Sequence, residues 1–229
     1  MAARIIAVEG PSAAGKTRAV STVARHLGGA PLAEAYDRVT PRPSLDWARP
    51  AELLRLEQRL FAEDARRFRE ARDLAEAEGF VIADTGFLGT LTYTWGLVRV
   101  GAAPGSLLRA LVRTARTEGK VARWGLPDAV LYLRTPASER DRRSQNDAVG
   151  HPVEHRARHQ RVAVEERRFY QNVLAPAYGP RFRFVSGRGR PAEVVGRLVR
   201  AAERVAAAPG GAPPLGPILR SLERPEGVA

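Results

Sequence analysis

An α/β fold, with a five-stranded parallel sheet covered by helices on both faces, is predicted by two features of the sequence. Short apolar segments alternate with longer segments of helical periodicity along most of the chain. The first apolar segment runs directly into a glycine-rich turn, Gly10 to Thr17, and an amphipathic helix comes after it. The 229 residues suffice for one large domain with a sizeable core. A hydrophobic content of 44% is ordinary for a globular protein.

The elements are expected in this order. Arg4 to Val8 is a β-branched run and the first strand, and Thr17 to Leu27 is a helix closed by Gly28 and Gly29. Pro31 to Tyr36 is a short second strand, and Thr40 to Pro50, with three prolines, is a loop. Ala51 to Glu78 is a long helix, with Leu53, Leu54, Leu56, Leu60, Phe61, Phe68 and Leu74 near helical spacing and Gly79 as its stop. Phe80 to Ala83 is a strand ending on Asp84. Phe87 to Val100 and Gly105 to Ala122 are helices, and Ala129 to Leu133 is a strand closed by Thr135 and Pro136. A basic stretch from Pro136 to Asp147 leads to a helix over Val153 to Val173. Arg183 to Val185 is the last strand, and Pro191 to Ala206 the last helix. The division is therefore one domain over residues 1–206, with a lid-like basic segment at about 137–150, and a flexible Pro/Gly-rich tail over 207–229.

Composition narrows the function classes. No cysteine is present, which excludes disulfides and thiolate metal sites. No apolar run approaches the length that spans a bilayer, so no membrane association is expected and the cytoplasm is the expected location. The net charge of +12 calls for an anionic partner. That charge is dispersed along the chain rather than gathered in one basic arm, which argues against nucleic acid. Of 37 basic residues only Lys16 and Lys120 are lysines, and Lys16 stands inside the glycine-rich turn.

Gly10-Pro11-Ser12-Ala13-Ala14-Gly15-Lys16-Thr17 matches G-x-x-x-x-G-K-[ST] at every position, between a strand and a helix as that motif requires. Gly10 and Gly15 let the backbone curl around phosphate oxygens, and the N–H groups of Ser12, Ala13 and Ala14 form an anion nest. The helix beyond adds its positive end. Lys16 is expected on the β- and γ-phosphates of ATP, and Thr17 on Mg²⁺. The fold is thus expected to be that of a P-loop NTPase. A GTPase would need an N-K-x-D motif, which is absent.

Further motifs resemble the thymidylate kinase and deoxynucleoside kinase superfamily. Leu60-Phe61-Ala62-Glu63-Asp64-Ala65-Arg66 is similar to a helix reading L-F-A-A-D-R. Gly79 to Asp84 is similar to a strand ending in Asp-Arg, and Thr92-Tyr93-Thr94-Trp95-Gly96 to S-x-x-A-Y-Q-G. Pro127 to Leu133 is similar to P-D-x-x-x-x-L, and Glu34-Ala35-Tyr36-Asp37-Arg38 to E-P-V-E-K. The resemblance implies a lid carrying Arg140, Arg142 and Arg143, an adenine pocket near Gly187 and Arg188, and a kinase that is often a homodimer. It also implies that Glu34 helps to deprotonate the accepting hydroxyl. Two departures bear on the acceptor: Thr85 comes after Asp84 where the resemblance has arginine, and Ala65 replaces the arginine of L-F-A-A-D-R.

The expected site draws these residues together. Lys16, Glu34, Asp84 and Arg143 carry catalysis, with Asp37 as the alternative base to Glu34. Thr17 and Asp84 hold Mg²⁺, Asp84 because it ends a strand at the sheet's carboxyl edge. Asp37, Gln58, Arg66 and Tyr93 face the acceptor. His151, His155 and His159 are spaced four apart, but no carboxylate or cysteine completes a metal-ligand set around them. Trp47, Trp95 and Trp124 are assigned to packing rather than to stacking on a ligand. The function expected is an ATP-dependent kinase of a small molecule, acting on a hydroxyl or phosphate of a nucleoside, nucleotide or similar acceptor. An antibiotic-type phosphotransferase and a nucleotide-binding regulatory protein are the alternatives.

Overall fold

The computed structural model describes residues 4–39, 50–121, 123–145 and 153–224. Thr40 to Trp47, His151 and the end of the basic segment lie outside them, as does the side chain of His155. Five strands form one parallel sheet: β1 (Ile5–Glu9), β2 (Ala30–Leu32), β3 (Val81–Asp84), β4 (Ala129–Arg134) and β5 (Phe182–Ser186), in the order β2-β3-β1-β4-β5. The central strand β1 reads Ile-Ile-Ala-Val-Glu and is buried throughout, as a strand covered on both faces must be. Register sets Val8 opposite Asp84 on one side and Leu131 on the other, so the carboxyl ends of β1, β3 and β4 share one edge.

The helices described are α1 (Lys16–Leu27), α2 (Ala35–Arg38), α3 (Pro50–Glu78), α4 (Gly89–Arg99), α5 (Gly105–Lys120), α6 (Ala137–Gln145), α7 (Val153–Phe169), α8 (Ala175–Tyr178), α9 (Pro191–Ala207) and α10 (Leu215–Glu223). One face of the sheet is covered by α1 and α9 through Val20, Val23, Leu198, Ala202 and Val205. The other carries α3, α4, α5 and α7, packed through Phe61, Leu91, Trp95, Leu111 and Phe169. Trp95 and Trp124 belong to that core, and the Trp124 indole N–H donates to the Phe87 carbonyl at 3.1 Å.

Several boundaries depart from the sequence reading for identifiable reasons. The second strand stops at Leu32, and Ala35–Arg38 turns into α2. The strand lies at the sheet edge, where Pro31, lacking an N–H, is tolerated. The long helix expected over Val153 to Val173 is α-helical only to Phe169, and Tyr170–Leu174 form a π-turn. The expected flexible tail contains α10. Leu215, Ile218, Leu219 and Leu222 recur at helical spacing, and Ile218, Leu219 and Leu222 are buried in the core beside α5. Arg116 pairs with Glu223 at 2.7 Å, and Gly119 leaves room where Leu215 crosses α5.

Removing Leu222, which is fully buried, tests that packing. Leu222→Ala is expected to cost about 2–5 kcal/mol in urea unfolding, against no change for a residue in a mobile tail.

Candidate active site

The Gly10–Thr17 turn joins the carboxyl end of β1 to the first turn of α1. Gly10 takes φ 139°, Ala13 φ 58° and Gly15 φ 94°. Gly10 is required by space as well, because a β-carbon there would lie 2.7 Å from the Leu133 carbonyl oxygen of β4. Lys16 Nζ donates to the Gly10 carbonyl at 3.0 Å, which holds the ammonium over the turn. Ser12 and Thr17 are exposed, whereas Ala14 is buried beneath the turn.

The Ala14 carbonyl is the anchor of the turn. It accepts from Arg143 Nη1 at 2.6 Å and from Thr135 Oγ1 at 3.3 Å. The same guanidinium donates to the Gly187 carbonyl at 3.2 Å and pairs with Glu139 at 2.9 Å. Arg143 therefore ties α6, the loop after β5 and the turn together. Arg142 points away: its side chain is 71% exposed and meets Glu139. Arg140 is half-buried, its Nε has no hydrogen-bond partner among the described residues, and burial lowers its pKa. A cleft of about 550 Å³ opens beside Pro11, with Tyr132 and Phe184 among its walls and Arg134, Arg140, Arg167 and Arg188 around it. The Arg134 guanidinium stacks 3.6 Å from the Phe184 ring centre.

Beside the turn stand two carboxylates from adjacent strands. Asp84 ends β3, is 1% exposed, and neither carboxylate oxygen has a hydrogen-bond partner among the described residues. A buried, unpartnered carboxylate is costly without a cation, so Asp84 suits a divalent metal; with Thr17 at the head of α1 it would hold Mg²⁺, the remaining positions falling to water and phosphate. Among the described residues no three His, Asp or Glu side chains gather as a metal-holding group. His159 instead meets the Tyr93 hydroxyl through Nδ1 at 3.2 Å.

Glu34 sits at the head of α2, half-buried, and its carboxylate accepts from Thr85 Oγ1 at 3.2 Å. Its pKa is raised, first by burial, against the pull of the Lys16 ammonium and with the push of Asp84 and Asp37. Asp37 itself is exposed. Thr85 has φ 58°, a left-handed conformation that costs a β-branched residue about 1–3 kcal/mol. The turn is fixed on both sides: Thr85 N–H donates to Val8 O at 3.1 Å, and Gly86 N–H to Glu9 Oε1 at 2.8 Å.

Two of the expected acceptor residues on α3 are exposed, each beside a buried polar neighbour. Gln58 is exposed, and the buried residue is Glu57, which accepts from Thr94 Oγ1 at 2.9 Å. Arg66 is exposed and pairs with Glu63, whereas Arg67 is fully buried. Three further carboxylates went unpredicted. Burial pushes Glu9, at the end of β1, up to about 7, although the Tyr170 hydroxyl and the Gly86 N–H both donate to it. Burial likewise pushes Glu57 up to about 7 and Glu166, on α7, up to about 8, the latter against Lys16 and Arg140. Glu9 had a signal in the sequence, since it ends an apolar strand as Asp84 does. Glu166 had none within a long run of Glu and Arg.

A glycine-rich G-x-x-x-x-G-K-[ST] turn at the carboxyl edge of the central strand of a five-stranded parallel sheet, with helices on both faces, is consistent with an α/β fold of the P-loop type. Solved structures share it at low identity. Deoxyadenosine kinase from M. mycoides, with dCMP and dCDP bound, superposes with a TM-score of 0.65 at 13% identity, over 87% of this chain and 98% of that one. The same kinase with dATP gives 0.65 at 15% identity, over 89% and 100%. Thymidylate kinase from Candida albicans gives 0.61 at 19%, over 88% and 92%. The likeness is one of fold. No protein-family model matches the chain, and no curated protein matches it in sequence. No helix among the described residues is long and apolar enough to cross a membrane.

The raised carboxylates make stability depend on pH. A group whose folded pKa exceeds its unfolded value near 4.5 holds its proton longer in the native state. Stability is then full below 4.5 and falls as pH rises through the folded value. Wild type is therefore expected to lose unfolding free energy between pH 5 and about 8. Glu57→Gln removes one titrating group and should flatten that decline, whereas parallel pH profiles for the two proteins would place Glu57 outside the effect.

Proposed function

We propose that this protein is a kinase that transfers the γ-phosphate of ATP, bound with Mg²⁺, to a hydroxyl of a small molecule. The observation that carries the reading is the meeting of Lys16, Asp84 and Glu34 at one sheet edge, with Thr85 linking the second strand's end to the third's. Phosphoryl transfer asks for positioning and neutralised charge rather than covalent chemistry. The turn's N–H groups and Lys16 hold the β- and γ-phosphates. Thr17 and Asp84 would hold Mg²⁺, which would supply neutralising charge to the phosphates. Glu34 accepts the proton of the attacking hydroxyl, and its raised pKa keeps it basic enough for that role. The donor's base and ribose enter the arginine- and aromatic-lined cleft beside Pro11, between Arg140 and Arg188. Arg143, anchored on Ala14, keeps the turn in shape. The acceptor is assigned to the region where Tyr93, Glu57 and Glu166 interact electrostatically.

A hydroxyl acceptor is favoured over a monophosphate because Ala65 and Thr85 stand where phosphate-holding arginines would be expected. The kinases of similar fold are named for nucleosides and nucleotides, so nucleosides are the first acceptors to offer, with hydroxylated natural products after them.

The test is a screen with γ-labelled ATP, Mg²⁺ and a panel of nucleosides, nucleoside monophosphates and hydroxylated natural products. Label is expected on one hydroxyl class, with Lys16→Ala losing at least about 100-fold. Label on no acceptor would refute the kinase reading. With the acceptor found, Glu34→Gln is expected to lower kcat about 10²–10⁴-fold. It should also abolish an acid limb in the kcat/KM profile that lies above the ordinary carboxylate range. A retained limb would assign the base to another group, Asp37 first.

A further inference from the structure

We infer that Arg67, on α3, is a positioning residue for phosphate transfer, holding in register the two backbone segments that carry Glu34 and Asp84. This rests on the kinase reading above. The guanidinium is fully buried, and its nitrogens reach three separate elements. Nε donates to the Ala33 carbonyl at 2.7 Å, one residue before Glu34. Nη2 donates to the Asp84 and Thr85 carbonyls, both at 2.8 Å. Nη1 pairs with Asp64 at 2.7 Å, and Asp64 in turn accepts from Thr90 Oγ1 of α4 at 2.7 Å. The Phe87 ring lies under the guanidinium, its centre 5.6 Å away.

These contacts fall where the backbone is least free. Thr85 holds a left-handed φ of 58°, which a β-branched residue leaves unless its surroundings hold it there. Two of the Arg67 bonds are to the carbonyls that bracket that residue. The Thr85 hydroxyl is thereby aimed at Glu34, whose carboxylate interacts electrostatically with both Lys16 and Asp84. Nothing in the sequence resemblance assigns this residue. The position after Asp84, where the resemblance has an arginine, holds Thr85, and a guanidinium arrives there from α3 instead.

Lysine keeps the charge but offers one nitrogen, which cannot span the Ala33, Asp84 and Thr85 carbonyls and Asp64 together. The test is a double-mutant cycle of Arg67→Lys and Thr85→Gly. It reads kcat and the KM for ATP with the acceptor that turns over fastest in the screen, and the fold is checked by circular dichroism. Arg67→Lys is expected to lower kcat about 100-fold with the KM for ATP unchanged within about twofold, since the P-loop is untouched. Thr85→Gly alone is expected to cost less than about tenfold, for the lost hydroxyl. In the double variant the Arg67 change should cost no more than about threefold further, because glycine takes the left-handed turn without being held. Additive losses in the cycle would overturn the proposal while leaving the kinase reading intact. So would a KM for ATP that rises as kcat falls. If Arg67→Lys fails to fold alone but folds with Thr85→Gly, the strained turn is what Arg67 holds, and the proposal stands. Failure to fold in both backgrounds makes Arg67 a structural residue and overturns it. A wild-type protein that transfers phosphate to nothing removes the kinase reading and this inference with it.

Discussion

The ammonium of Lys16 is the charge on which the site depends. Three carboxylates from separate parts of the chain lie within its electrostatic influence: Glu9 at the end of β1, Glu34 at the head of α2 and Glu166 on α7. Each is pushed toward its neutral form by burial, and in each case Lys16 opposes that push. The lysine can do this because the turn holds it over the carboxyl edge of the sheet, against the Gly10 carbonyl. That turn is fixed by the close passage of Gly10 along β4 and by Arg143 and Thr135 on the Ala14 carbonyl. An acidic interior and a basic loop are thus two halves of one arrangement. On the proposed reading, phosphates would satisfy the loop and a cation would satisfy Asp84.

The net charge of +12 has a different physical meaning from the site's charge. Much of the surface arginine is matched locally, as in Arg66 with Glu63, Arg168 with Glu165 and Arg190 with Glu193, and such exposed pairs contribute little to stability. A few arginines are set apart by burial or by the backbone groups they hold, among them Arg67, Arg140, Arg143 and Arg181. Counting basic residues in the sequence could not separate these from the rest.

What was legible in the sequence, and what was not, divides along physical lines. The five strands, the long α3 and the phosphate turn were readable because apolar runs and periodicity reflect burial, and because the turn's glycines answer a backbone requirement. Helix phase was harder to read. On α3 the buried face runs through Leu53, Leu56, Glu57, Phe61, Asp64 and Arg67, so polar residues share the inward stripe with apolar ones. A phase read from the apolar residues alone does not show which polar neighbours turn inward: it leaves Gln58 and Arg66 as the residues expected to face the acceptor, whereas both are exposed and Glu57 and Arg67 are the buried ones. The C-terminal helix was hidden by composition: prolines and glycines before Leu215 masked an apolar stripe only one helix long. The Thr85 turn was invisible altogether, because its left-handed φ is imposed by contacts from α3 and β1 rather than by a residue suited to it.

The central claim is that the carboxylates and the lysine gathered at this edge direct phosphate onto a hydroxyl. The chemical nature of the product tests it most directly. Phosphorus NMR of a completed reaction, with ATP, Mg²⁺ and the active acceptor, distinguishes a phosphate monoester from a new diphosphate and from free phosphate. A monoester formed in step with ADP is the result this site requires. A diphosphate product, or inorganic phosphate alone, would contradict it.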